Sequence, residues 1–401
     1  MKHYNYNQIL FGDCFLPKFD ICIIITICFG FFSCSMRQEG HLTVKYERDT
    51  ILVKGEGCIA QLEDKEYKAR IETYLHPQDT SISILCDKMK YDDGYYFLQQ
   101  GGKNQTIWVF DSLGNYISKL GERGRKQNEY QTDITDWFYV KDKKEVFVYE
   151  RYECRLHVFT IDGKPVESKF LASLPQSIGA LKGDCLFCSY DDILSKDGIQ
   201  LGLFNRDEEV IKDFINLNES MNFVPNNECF YASMNRLFHI PAFSDSSIVF
   251  HEDSVEKVVR FIFEDKFLTE DIKEEALDAK MDNFNKFDGI QFIKTYYETS
   301  RFHYLKYSYR NLFVNHLIDK KSKKQYSFAS SPIKGLLPST AMCVRGDKLL
   351  YLITKQNIEE LRYLLDDRIL GKAVSESNEI IQRIINGEES LPLILSIEFI
   401  E

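Results

Sequence analysis

The chain has none of the short signatures that usually mark an enzyme. Its 401 residues contain no G-x-S-x-G elbow, no Walker-type phosphate loop and no dinucleotide-binding glycine fingerprint. There is no H-x-x-x-H or H-E-x-x-H pair and no calcium-loop pattern, so His41, His76, His157, His239, His251, His303 and His316 read as scattered structural residues and imply no metal. Positive charge is in deficit, with a net charge of −11, which argues against nucleic acid as a partner. No apolar run reaches the roughly 20 residues needed to cross a bilayer as a helix. The longest, Ile21–Phe32, spans twelve residues between Lys18 and Ser33-Cys34, and suits the core of a signal peptide over 1–33.

Cysteine is plentiful but badly placed for disulfides. Of eleven, Cys14, Cys22 and Cys28 would leave with the signal. With Cys34 set aside as the first mature residue, an odd, irregular set of seven remains: Cys58, Cys86, Cys154, Cys185, Cys188, Cys229 and Cys343. Cys185 and Cys188 imitate a redox pair, yet they fall in a strand pattern, where residues three apart face opposite ways.

The chain does have a repeat. Phe110, Phe159, Phe204 and Phe250 each close a short apolar strand before a polar tight turn and a second strand, at intervals of 49, 45 and 46 residues. Hairpins recurring in the mid-forties predict propeller blades, one four-stranded sheet per repeat. The first blade is predicted to run from Ile82–Leu85 through Gly94–Leu98 and Thr106–Phe110 to Tyr116–Leu120. The second comprises Glu145–Tyr149, Leu156–Phe159 and Val166–Phe170, turning at Asp162-Gly163. In the third, Asp207-Glu208 stand where glycine stood, which predicts a looser turn. The fourth contains Cys229–Ala232, Ser247–Phe250 and Val258–Phe261.

Beyond Phe263 the periodicity turns helical, with Thr269 as a cap, and helical insertions are expected over about 264–300 and 356–388, the last ending at Asn386-Gly387. Strand character returns over Tyr304–Tyr309, Leu312–Val314 and Tyr326–Phe328, and a sixth unit would hold Lys348–Ile353 and Leu391–Ile400. The ring must be closed to hide its strand edges, and His41–Tyr46 with Thr50–Val53 are the expected partners of the C-terminal unit. The reading is an all-β, six-bladed propeller over 34–401, with five or seven blades as the alternatives.

Two features together carry a family resemblance. The first is the small residue before Cys34, which resembles a lipobox. The second is Ile107–Ile117 followed by Leu120–Tyr130, where Gly121, Gly124, Glu129 and Tyr130 match a Gly-x-x-Gly-x-Gly-Pro-Gly-Glu-Tyr pattern and Lys126, Gln127 and Asn128 replace its Gly-Pro-Gly. On these the chain resembles the six-bladed β-propeller lipoproteins of Gram-negative bacteria, which are similar to NHL-repeat propellers. The resemblance implies an exported protein, lipid-attached at Cys34, in the outer membrane or periplasm, with no assigned chemistry and no cofactor.

Segment 121–137 connects one blade to the next and gathers Arg123, Arg125, Glu129, Tyr130, Asp133, Asp136 and Trp137. Such a mixture could hydrogen-bond and stack on a polar ligand. The alternative is that the arginines pair with nearby carboxylates while Tyr130 and Trp137 wedge between blades. Lys320, Lys321, Lys323 and Lys324 read as a solvated hairpin tip. The functional expectation is a monomeric, non-catalytic propeller that binds a protein partner or an extracellular glycan or peptide polymer through its channel-face loops. A metal-dependent lyase or lactonase is one alternative, requiring three or more His, Asp or Glu side chains converging on the axis. A contact surface made by helices at 269–287 and 356–386 is the other.

Overall fold

The computed structural model of the protein describes residues 47–55, 67–77, 86–126, 128–190, 199–216, 230–241, 244–268, 286–328, 342–364 and 378–400. These residues build six separate sheets, five of four strands and one of five. Blade one holds Cys86–Asp92, Tyr95–Gln100, Thr106–Asp111 and Tyr116–Leu120, each paired antiparallel with the next. Blade two runs from Asp136–Val140 to Pro165–Phe170, blade three from Ser177–Gly179 to Val210–Asn216, blade four from Phe230–Ser233 to Ser254–Phe263, and blade five from Ile290–Glu298 to Gln325–Phe328. Blade six holds Met342–Arg345, Lys348–Ile353 and Leu393–Phe399, and takes its outer strand, Tyr67–Tyr74, from the other end of the chain. First strands lie beside one another from blade two through blade five, and again where blade six meets blade one. This is the six-bladed propeller that the repeat predicts.

The closing strand is not the expected one. His41–Tyr46 lies outside the described residues, and Thr50–Val53 belongs to Glu47–Val53, which lies parallel to the outer strand of blade four. The physical reason is an available edge: the blade-four strand Ser254–Phe263 is ten residues long, and Lys257–Phe263 takes the added strand while Ile51 and Val53 are buried beneath it.

All four repeat phenylalanines sit at the same point of the third strand of their blades and are buried. Each faces a bulge in the outer strand, where the pairing skips Ile117, Val166, Ile211 and Glu256 in turn. Such bulges twist the outer strand away from flat edge pairing, which discourages sheet-to-sheet aggregation. In the first three blades the side chain of the residue after the phenylalanine caps the turn, Thr160 accepting from the Lys164 N–H in blade two. Asp111 Oδ1 accepts from the N–H groups of Leu113 and Asn115, and Asn205 Oδ1 accepts from those of Asp207 and Glu209. Gly114 is obligatory here, because at φ 83° a Cβ would stand 2.0 Å from the Tyr74 carbonyl oxygen. The blade-three turn is not loosened by its missing glycine. Glu208 adopts φ 61° itself, and its carboxylate accepts from the backbone N–H of Ala172 and Ser173 and from the Ser173 hydroxyl, offsetting the strain.

The core is a set of joints between blades rather than one centre. Side chains such as Phe97, Val109, Trp137 and Phe159 fill the seam of blades one and two, and comparable clusters join blades two to four, four to six, and six to one. Of the predicted helices, Lys355–Leu364 and Glu379–Asn386 are present, the latter capped by Asn378 and ended by Gly387 at φ 81°. In the other predicted insertion, 269–285 lies outside the described residues and Ile290–Glu298 is a strand, the first of blade five. Nearly every residue of that strand is buried on both faces, which erases the alternation that betrays a strand. Ile82–Leu85 and Cys34 also lie outside the described residues, and blade one opens with Cys86–Asp92.

Candidate binding site at the hub

The first strands of blades one, two, four, five and six, with the second and third strands of blade five, line a cavity of ≈ 890 Å³, whose lining includes Lys88, Lys90, Tyr91, Trp137, Tyr231, Lys294, Tyr297, Lys306, Phe313 and Arg345. Strand geometry explains how the cations converge, since residues two apart face the same way and Lys88 and Lys90 both turn inward. Aromatic rings hold them. The Lys90 ammonium lies 4.3 Å from the Trp137 ring centre and 4.5 Å from that of Phe138, and donates a 2.9 Å hydrogen bond to the Trp137 carbonyl. Lys88 lies 5.5 Å from the Tyr231 ring, Lys294 and Lys306 lie 5.0 and 5.3 Å from Phe313, and the Arg345 guanidinium lies 4.4 Å from Tyr91. Tyr231 stacks on Tyr297 with centroids 5.6 Å apart, and Tyr304 donates to Asn315 Oδ1 at 2.6 Å. Phe313 and Leu312 remain exposed at the cavity edge.

Charge in this wall is lopsided. Five of the described lining residues are Lys or Arg, against a single carboxylate, Asp92, which is paired with Lys141 at 2.9 Å. Arg345 is ion-paired too, with Glu72 at 3.0 Å.

The residues expected to form a site in segment 121–137 are not brought together. Trp137 alone of them lines the cavity, with its indole N–H donated to Gln99 Oε1 at 2.8 Å. Asp136 is buried between blades two and three, where Oδ2 accepts from the Ser177 hydroxyl at 2.6 Å and from the Ile178 N–H. Tyr130 is fully buried, donates to the Leu120 carbonyl at 2.7 Å and packs edge-on against His157 and Phe159. Burial drives its phenol pKa far upward. Arg123 pairs with Asp133 at 2.9 Å in solvent, and Arg125 is exposed.

The four motif residues Gly121, Gly124, Glu129 and Tyr130 instead form one interlocked turn. A Cβ on Gly121 would meet the Tyr130 ring at 2.7 Å, and one on Gly124 would overlap the Glu129 carboxylate at 1.9 Å. Glu129 accepts from the Lys126 N–H, which lowers its pKa; the Gly124 N–H donates to the Tyr130 carbonyl, and the Tyr130 N–H donates to the Glu122 carbonyl.

Beside the hub, Glu298 ends the first strand of blade five inside a buried charge cluster. Lys257 and Lys320 approach it at 2.9 and 3.0 Å, and the Tyr296 hydroxyl donates to it at 2.9 Å. Burial alone would raise its pKa, but these cations outweigh burial and bring it down to about 2. Lys257 also pairs with Asp49 of the added N-terminal strand. Lys320 is therefore turned inward, while Lys321, Lys323 and Lys324 are exposed as expected of a hairpin tip.

Among the described residues, no three His, Cys, Asp or Glu side chains gather in a way that could hold a metal ion. The hub offers ammonium groups and rings where the lyase or lactonase alternative calls for carboxylates and imidazoles. The thiols of Cys185 and Cys343 have raised pKa values because burial disfavours the thiolate, Cys343 to about 12, so neither is poised as a nucleophile.

The hub cations escape linear motif reading because each blade contributes only one or two of them, separated by up to about 250 residues of sequence. Their one local sign is the Lys-x-Lys spacing at the start of blade one.

Comparison with known proteins supports this fold. A Bacteroides fragilis protein inferred to be exported superposes with a TM-score of 0.67 at 14% identity, covering 88% of this chain and 100% of its own. A DUF4221 family member from Bacteroides vulgatus gives 0.48 at 12% identity, covering 84% and 99%. None of the curated proteins compared matches the chain. Residues 79–390 match the family model described as Domain of unknown function (DUF4934).

Proposed function

We propose that this chain, which belongs to the DUF4934 family, is an exported propeller that captures a polar ligand of the cell envelope in its hub cavity without transforming it. The observation that carries the reading is the ≈ 890 Å³ cavity, within the roughly 300–1,000 Å³ typical of ligand sites, with its rings and cations held in fixed mutual positions. Export is supported by the signal-like segment 1–33, and by the description of the Bacteroides fragilis neighbour as exported. Attachment through a lipid on Cys34 completes the proposal. Two acyl chains give stable membrane anchoring where one does not.

The test is capture of envelope glycan and peptide fragments on an array by the full-length protein and by two cavity variants. Trp137→Ala removes the central ring, and Ser300→Trp fills the cavity from its edge while leaving the blades untouched. Both are expected to lose capture, with S300W melting at the parent temperature. Undiminished capture by S300W overturns the hub as the site.

A further inference from the structure

Resting on that reading, we infer that the hub cavity takes an uncharged sugar chain, and that the Thr295 hydroxyl on the first strand of blade five pairs with one of its hydroxyls. Two observations lead there independently. The first is a buried polar atom with nothing to bond. Thr295 is 1% exposed and lines the cavity, and its Oγ1 has no hydrogen-bond partner within the protein. A buried hydroxyl in that state destabilises the free protein, and a ligand that reaches it removes the penalty on binding. The backbone places it there: the pairing of Ile290–Glu298 with the next strand skips Lys294, and beyond that bulge Thr295, Tyr297 and Thr299 fall two apart along the cavity wall.

The second observation is that the charges of the wall are already engaged. Lys90 donates to the Trp137 carbonyl, Arg345 pairs with Glu72, and Asp92 pairs with Lys141. Lys88, Lys294 and Lys306 lie against rings and have further interactions inside the protein. A charged ligand would give up its water for cations that are satisfied without it, whereas a neutral one meets no such cost. Among neutral ligands the wall favours a saccharide over a peptide. Met234, Leu312 and Phe313 leave apolar surface exposed at the cavity edge, and sugar rings present apolar faces together with many hydroxyls. A sugar hydroxyl both donates and accepts, as the Thr295 hydroxyl does, while each peptide N–H or carbonyl does only one.

Titration calorimetry on the full-length protein tests this with neutral hexamers of glucose, mannose, galactose and N-acetylglucosamine, a galacturonic acid hexamer and a neutral Ser-Gly hexapeptide. At least one neutral sugar is expected to bind, with an affinity that does not fall as salt rises. Thr295→Val keeps the shape of the side chain and removes its hydroxyl. It is expected to weaken that binding roughly tenfold, as the loss of one hydrogen bond implies, while melting no lower than the parent because no bond within the protein is lost. Four results overturn the inference: no neutral sugar binding, the acid hexamer or the peptide binding more tightly than every neutral sugar, T295V binding as the parent does, or T295V melting well below it. In each case capture by S300W still judges the hub as a site, so the two failures are told apart.

Discussion

The connector at 121–137 and the wall of the hub are built on opposite principles. The connector concentrates its special residues within a few positions, where Gly121, Gly124, Glu129 and Tyr130 pack on one another and on the next blade. The hub draws its cations and rings singly or in pairs from five blades, and nothing in any one stretch announces them. In a propeller, a dense local motif marks a backbone turn that must fit tightly. The cavity is marked by what separate blades bring to one space, from the first strands of four blades and the first three strands of blade five.

Mutation should separate the two regions. Tyr130→Ala is expected to have the largest effect, since it empties a fully buried aromatic position at the seam of blades one and two. A loss of about 3–5 kcal/mol is expected by chemical denaturation. A cost below about 1 kcal/mol would mean that the connector does not hold the seam. The hub variant T295V should leave the denaturation midpoint almost unchanged, which is the sharpest form of the contrast.

Next in size is the acid response of Glu298. Its folded pKa of about 2 lies below the ordinary value of 4.5, so its ion pairs add stability above that value. That stability is lost as pH falls through 4.5 toward 2, a contribution on the order of 3 kcal/mol. Glu298→Gln should flatten the stability profile between those pH values; an unaltered profile assigns the acid response to other groups.

The smallest effect concerns the turn of blade three. Glu208→Ala keeps the left-handed backbone but removes the carboxylate from Ala172 and Ser173, and should cost about 1–3 kcal/mol. Glu208→Gly also relieves the backbone strain, so it should cost about 1 kcal/mol less. Equal costs would show that φ 61° carries no strain at this position.

Much of the fold was legible because the repeat has a physical basis. Phe110, Phe159, Phe204 and Phe250 recur because each plugs a seam opposite a bulge, and in the first three the next side chain caps the turn. The bulges themselves left no readable sign, since Ile117, Val166 and Ile211 look like ordinary strand residues. The strand Ile290–Glu298 was hidden by burial on both faces, and the closing strand Tyr67–Tyr74 could not be told from other early candidates by pattern alone. Of the expected site, Trp137 was found because it is a rare residue at a blade start, whereas Lys90, Lys306 and Arg345 acquire meaning only when the ring brings them together.

The parallel strand Glu47–Val53 gives the molecule a second fastening. Its seven residues zip onto blade four, with Asp49 locked to Lys257, while the chain goes on to close the ring at blade six. A pull arriving along the backbone from upstream would load this ladder first, in shear along its whole length, before reaching the joint that keeps the wheel shut. Two separate blades thus hold the N-terminal part of the chain, the fourth before the sixth.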